Sequence, residues 1–128
     1  YDHDIKNDSN AYYLNLMKHG VFYARPQMET VSIQLIHNKQ LELLKQIKKS
    51  MIKNDANIKI VISPLYSQLK FNKHDLVIIE SMFGKSNVYD FSGKNEITDD
   101  YRNYYENAHY KPYVANQIMD RVYSTVNP

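Results

Sequence analysis

Glu106 and His109 stand three residues apart in the stretch YYENAHYKP, residues 104–112. At that spacing the acid can reach Nδ1–H of the ring. A carboxylate there fixes one tautomer, leaves Nε2 as the base and stabilises the imidazolium once it forms. Pro112 follows and suits the first position of a helix, where a missing N–H costs nothing. A histidine just ahead of a helix start sits in the positive end of the helix dipole. That position favours the neutral ring, the form that accepts a proton. Together the pair makes two of the three parts of a hydroxyl-activating triad, with His109 as base and Glu106 as its orienting acid. The same spacing also fits a loop histidine that only satisfies its neighbours among the tyrosines.

The third part, a nucleophile, has weaker candidates. Ser63 and Ser92 each end an expected strand, but neither lies in a Gly-x-Ser-x-Gly elbow, and turn or capping roles fit both better. Asp90 points to the same edge, where a loop-tethering hydrogen bond is the expected role. Thr98, Asp99 and Asp100 carry oxygen atoms suited to a hard cation. They lack the glycine-centred loop and closing Glu of a calcium site, so an Asx-type turn is expected there. His3 with Asp2 and Asp4 belongs to an exposed, frayed terminus. The chain has no cysteine, which excludes disulfides, thiolate zinc sites and a cysteine nucleophile. No cofactor and no metal are expected.

The elements that must position the pair read as follows. Residues 1–30 are polar and irregular, with a short helix over 11–18 that Gly20 stops and Pro26 does not let resume. Residues 31–53 carry the longest helical period, with Ile36, Leu43, Leu44, Ile47 and Met51 on one face and Asn38 as a cap. His37, near that start, reads as surface or cap. IKIVISP, residues 58–64, is a buried strand. Residues 74–85 return to helical spacing with Leu76, Ile79 and Phe83 inward and Gly84 as the stop. NVYDFS, residues 87–92, is a second strand with Val88 and Asp90 on one side and Tyr89 and Phe91 on the other. A long loop, GKNEITDDYRN, leads to the last helix, whose stripe is Val114, Ile118 and Val122.

Alternating helices and strands of this kind predict an α/β fold, three layers α/β/α around a short parallel sheet. Two strands are too few for that sheet. Either the N-terminal third supplies another, or chain outside this sequence completes it. Sites in such sheets form beyond the carboxyl ends of the strands, and the loop after Phe91 leads from that edge to His109.

Composition limits the classes. With 128 residues and 43% hydrophobic content, the chain is one globular domain's worth. It has no apolar run near the ~20 residues of a membrane-spanning helix. It begins at Tyr1 without an initiator methionine, as a processed protein or an excised piece would. Net charge is only +2, and the lysines of KQIKKSMIK, residues 45–53, alternate with apolar residues as the solvated side of a helix. Capture of nucleic acid needs a concentrated basic face, so nucleic acid is not an expected partner. Twelve tyrosines and no tryptophan reflect compositional bias as much as function.

Strand, SPLY, helix, VYDFS strand, long loop, NYYENAHYKP and a terminal helix together resemble the C-terminal half of SGNH/GDSL-type esterases, closest to the branch associated with bacterial cell-envelope polysaccharides. The resemblance covers roughly residues 31–124, and NYYENAHYKP is its most specific part. It implies that residues 31–128 are the C-terminal α/β portion of an SGNH-hydrolase-like domain. It also implies that His109 is the general base and that Glu106 occupies the position of the family's aspartate. The family's Gly-Asp-Ser nucleophile block does not occur here, as in either the C-terminal portion of such a protein or a degenerate relative that has lost the chemistry. The implied substrate is an acylated carbohydrate or small ester, the implied partner the missing N-terminal portion of the parent protein, and the implied location the cell envelope or another extracytoplasmic site. Two other readings stand beside it: a binding module whose tyrosines at 101–113 stack on sugar rings, and a structural or assembly domain.

Overall fold

A computed structural model describes residues 1–124. In chain order the elements are α1 (Asp2–Asn7), α2 (Ser9–Lys18), β1 (Thr30–Val31), α3 (Asn38–Lys53), β2 (Ile60–Ile62), β3 (Leu69–Lys70), α4 (Lys73–Phe83), β4 (Val88–Asp90), α5 (Glu96–Asp99) and α6 (Pro112–Tyr123). The chain is mixed α/β, with two short parallel sheets.

The expected pair of strands is present and parallel. Ile60 lies opposite Val88, Val61 opposite Tyr89, and Ile62 opposite Asp90. Strand alternation then sorts their side chains to two faces. Ile60, Ile62 and Val88 pack with Ile36, Leu41, Leu44, Ile79 and Phe83 from α3, α4 and the segment before α3. Val61, Tyr89 and Phe91 pack with Ile97, Val114, Ile118 and Val122. The stripe predicted for α6 is thus its buried face. Full burial of an aliphatic side chain, as at Ile97, Val114 and Ile118, contributes roughly 1.5–3 kcal/mol and the half-buried strand residues less, so the sheet is held mainly by the helices on its two faces.

The N-terminal third does supply a strand, but it does not join this sheet. β1 pairs in parallel with β3 in a separate ladder, Thr30 opposite Leu69 and Val31 opposite Lys70. The two ladders meet at their carboxyl ends, where the Gly93 N–H donates to the Leu69 carbonyl at 3.2 Å. Lys70 Nζ also donates to Asp90 Oδ2 at 2.7 Å. Asp90 and Ser92 are tethers, as expected for the aspartate. Ser92 donates its hydroxyl to Asp90 Oδ1 and accepts the Phe71 N–H at 2.8 Å. A buried hydroxyl engaged in this way is not an available nucleophile.

Four expectations change. The first segment is less irregular than expected: the helix expected over 11–18 is α2, which begins at Ser9, and α1 precedes it, while residues 19–29 carry no helix or strand; Asp8 caps α2 by accepting the Ala11 N–H at 2.9 Å. His3 therefore lies in a helix rather than in a frayed end. The long loop contains α5, because Asn95 accepts from the N–H groups of Ile97 and Thr98 while Thr98 Oγ1 accepts from Asn95, a capping box. α3 starts one residue after His37, whose N–H donates to Gln40 Oε1 at 3.3 Å, so Asn38 is helical and not the cap. Leu43 and Ile47 are half exposed, at 51% and 49%. The helix turns the expected Leu44 and Met51 to the sheet, with Leu41 in place of Leu43 and Ile47. Asp75, fully buried, accepts the N–H groups of Leu35 and Ile36 at 2.7 and 3.1 Å. This carboxylate fixes the chain ahead of α3 against α4.

Candidate functional site

Residues 103–111 form a small antiparallel hairpin that leads into α6. Tyr104 bridges to Tyr110, the Lys111 N–H donates to the Asn103 carbonyl at 2.8 Å, and the Tyr105 N–H donates to the His109 carbonyl at 2.8 Å. The root of the hairpin is in the core. Tyr104 is 1% exposed and packs with Tyr13, Phe22 and Tyr66. Its hydroxyl donates to the Pro64 carbonyl at 3.2 Å. Pro64 lies just beyond the carboxyl end of β2, so the hairpin is moored at the strand tips, where the topology places a site.

The tip carries the pair. Nδ1 of His109 is hydrogen-bonded to Oε1 of Glu106. Oε2 of the same carboxylate accepts the Ala108 N–H at 3.0 Å. The Glu106 side chain is 16% exposed and that of His109 is 75% exposed. The longer arm of glutamate, relative to aspartate, therefore spans the distance to the ring. With Nδ1 engaged by the acid, Nε2 is the nitrogen left to take a proton from outside. Both predicted site residues are brought together in the orientation that their spacing implied.

The nucleophile candidates are not resolved in the same way. Ser63 is exposed, one residue beyond β2. Ser92 is committed to Asp90 and Phe71. Asp100 caps a one-turn 3-10 segment by accepting the Arg102 N–H at 2.8 Å, and Asp99 accepts from Gln68 Nε2 at 2.8 Å. The Asx-type turn expected for the Thr98–Asp100 stretch is made by Asp100 alone, whereas Thr98 and Asp99 lie in α5 and Asp99 holds a residue 31 positions away. Among the described residues, no group of three or more His, Asp or Glu side chains converges as metal ligands would.

Sequence reasoning missed the residues that hold the hairpin from the far end of the chain. Tyr12 donates its hydroxyl to the Tyr105 carbonyl at 2.7 Å. Tyr13 donates to the carbonyls of Tyr104 at 3.0 Å and Arg102 at 3.2 Å. Tyr1 stacks on Tyr105 with ring centroids 5.3 Å apart, and the Tyr105 hydroxyl donates to Asp2. Burial, reinforced by neighbouring tyrosines and acids, pushes Tyr12 and Tyr13 up to about 12. Both hydroxyls therefore remain donors across the neutral range. On the other side, burial pulls Lys111 below the usual lysine range, against the opposing pull of Asp100 and Asp2.

The surface at the pair is open. A cavity of about 650 Å³ lies at the amino end of β2, lined by Lys48, Met51, Ile58, Met82 and Asn87 among others. It contains neither Glu106 nor His109 and sits at the wrong end of the strands for the chemistry.

Comparison with known proteins finds no matching family model, no matching curated protein and no matching solved structure.

Proposed function

We propose that this chain is the C-terminal portion of an SGNH-like, three-layer α/β/α serine esterase or acyl-transfer protein that acts on ester-linked acyl groups. The observation that carries this reading is the hydrogen bond between Nδ1 of an exposed His109 and the accepting carboxylate of Glu106, on a hairpin moored at the carboxyl end of β2. In the reaction, Nε2 of His109 takes the proton of a serine hydroxyl as that oxygen attacks the ester carbonyl. Glu106 orients the ring and stabilises the imidazolium. The ring then returns the proton to the departing alcohol, and water repeats the sequence on the acyl-enzyme.

This chain holds the base and its orienting acid. The serine belongs to the missing N-terminal portion of the parent protein, so the isolated chain is inactive. An open surface around the ring suits a substrate presented on a larger body, such as an acylated glycan of the cell envelope, better than a small molecule that needs an enclosing pocket. Turnover of a short-chain aryl ester by the full-length protein, with and without the His109 ring, tests the reading.

A second reading has its own observation. Tyr1, Tyr105 and Tyr113 cluster around the hairpin, and Tyr113 is 45% exposed. A non-catalytic module binding a glycan through such rings predicts tyrosine NMR shifts on glycan titration and no ester turnover in the full-length protein.

A further inference from the structure

Two consecutive peptide planes precede Glu106, and each is held at its carbonyl by a tyrosine hydroxyl from α2. The plane between Tyr104 and Tyr105 has its carbonyl held by Tyr13 at 3.0 Å and its N–H donated to His109 at 2.8 Å. The next plane, between Tyr105 and Glu106, has its carbonyl held by Tyr12 at 2.7 Å. Those planes set the direction in which the Glu106 side chain leaves the backbone. We propose that Tyr12 and Tyr13 are positioning residues for the His109–Glu106 pair, their hydroxyls fixing the hairpin backbone so that the carboxylate meets Nδ1.

An ordinary core role does not explain the pattern. Tyr13 does pack its ring against Phe22 and Tyr101, at centroid distances of 5.8 and 5.2 Å. The rings of Tyr12 and Tyr13 meet edge to face at 5.2 Å. Packing of this kind needs rings, not hydroxyls. Yet both hydroxyls end on successive carbonyls of one loop, 93 and 91 residues away in sequence. Without them, the Tyr105–Glu106 backbone is held by the hairpin's two backbone bonds, by the Tyr105 side chain against Tyr1 and Asp2, and by the Glu106 contacts themselves, none of which takes up the carbonyls of Tyr104 and Tyr105. Loops so closed sample several conformations, and a carboxylate on such a loop meets the ring only part of the time.

The catalytic arm of this proposal rests on the reading of His109 as base, whereas the structural arm does not. The test uses Tyr12→Phe, Tyr13→Phe and the double variant, which keep the rings and remove only the hydroxyls. Nitrogen-15 shifts of the His109 ring report its tautomer. In the wild-type chain they should show a protonated Nδ1 and a free Nε2, and in the double variant they should move toward the tautomer mixture of a free histidine.

Two references accompany it. His19, the residue that caps the carboxyl end of α2 and whose Nδ1 lies 2.8 Å from the Asn15 carbonyl, should be unchanged, which shows that the end of the helix is intact. Tyr66→Phe, which removes a 2.6 Å bond to the Tyr23 carbonyl elsewhere, should leave His109 unchanged. In the full-length protein the double variant should lose kcat about ten- to hundredfold with KM held. Unchanged His109 ring shifts in the double variant overturn the proposal, whatever the turnover does. If His109→Ala leaves turnover intact, the esterase reading falls while the ring-shift result still decides the clamp.

Discussion

Glu106 serves His109 and its own loop at once: Oε1 is on Nδ1 of the ring and Oε2 accepts the Ala108 N–H at 3.0 Å. The second bond keeps the carboxylate from swinging away, so the orientation of the imidazole is set by a group that is itself fixed.

Glu106→Gln keeps an oxygen for one of these contacts and removes the charge that stabilises an imidazolium. On the esterase reading proposed above, ester turnover by the full-length protein should fall about 10²–10⁴-fold, with the far-ultraviolet dichroism unchanged. Turnover within about twofold of wild type would remove Glu106 from the mechanism, since even modest general-base effects exceed that.

Lys70 and Asp90 predict an acid-sensitive join between the two ladders. Burial alone would raise Asp90, but hydrogen bonds from Lys70 and Ser92 outweigh it and hold the carboxyl below its usual range. A folded value below the unfolded one means that the contribution is complete above the unfolded value, about 3.9. It is lost as pH falls through the folded value. Urea midpoints should therefore drop more steeply on acidification below about pH 4 in wild type than in Asp90→Asn. Parallel pH profiles for the two proteins would contradict this.

Asp75 should matter for stability and not for chemistry. Asp75→Ala leaves the Leu35 and Ile36 N–H groups without their acceptor, at a cost of about 2–4 kcal/mol in urea unfolding. A loss below about 0.5 kcal/mol would show that water or backbone rearrangement replaces the carboxylate.

Gly93 has φ +80°, and a methyl group there would come within 2.7 Å of Lys70 Cδ and 2.8 Å of Glu29 Oε2. Gly93→Ala should destabilise the chain by roughly 1 kcal/mol or more, chiefly because φ +80° strains an L residue, while the Lys70 and Glu29 side chains must also move aside. A thermal midpoint equal to that of wild type would contradict the left-handed conformation at Gly93.

Local signals in the sequence account for the parts of the fold that were foreseen. Pro112 with Val114, Ile118 and Val122 marks α6, and the β-branched run at 60–62 marks β2, since in each a single segment contains the whole pattern. α5 escaped notice because a helix of four residues has too few turns to show a period, and only its capping box, Asn95 and Thr98, marks it. For α3, the period identified an apolar side but not which shoulder meets the sheet, so Leu43 and Ile47 were expected inside and lie half exposed. The pair at the hairpin tip was legible because Glu106 and His109 are three residues apart. Its support was not. Tyr12 and Tyr105 are 93 residues apart, and no local pattern joins two tyrosines in a chain that has twelve.

His109 is the group on which the esterase reading turns, and its ring is exposed enough to be replaced without opening the core. The measurement is the hydrolysis of a short-chain aryl ester by the full-length protein and by its His109→Ala variant, each checked for an unchanged fold by dichroism. Loss of turnover by about 10³-fold or more, partly restored by added imidazole, is the expected result. An alanine variant that hydrolyses the ester at the wild-type rate would mean that the imidazole at this hairpin tip takes no proton in the reaction.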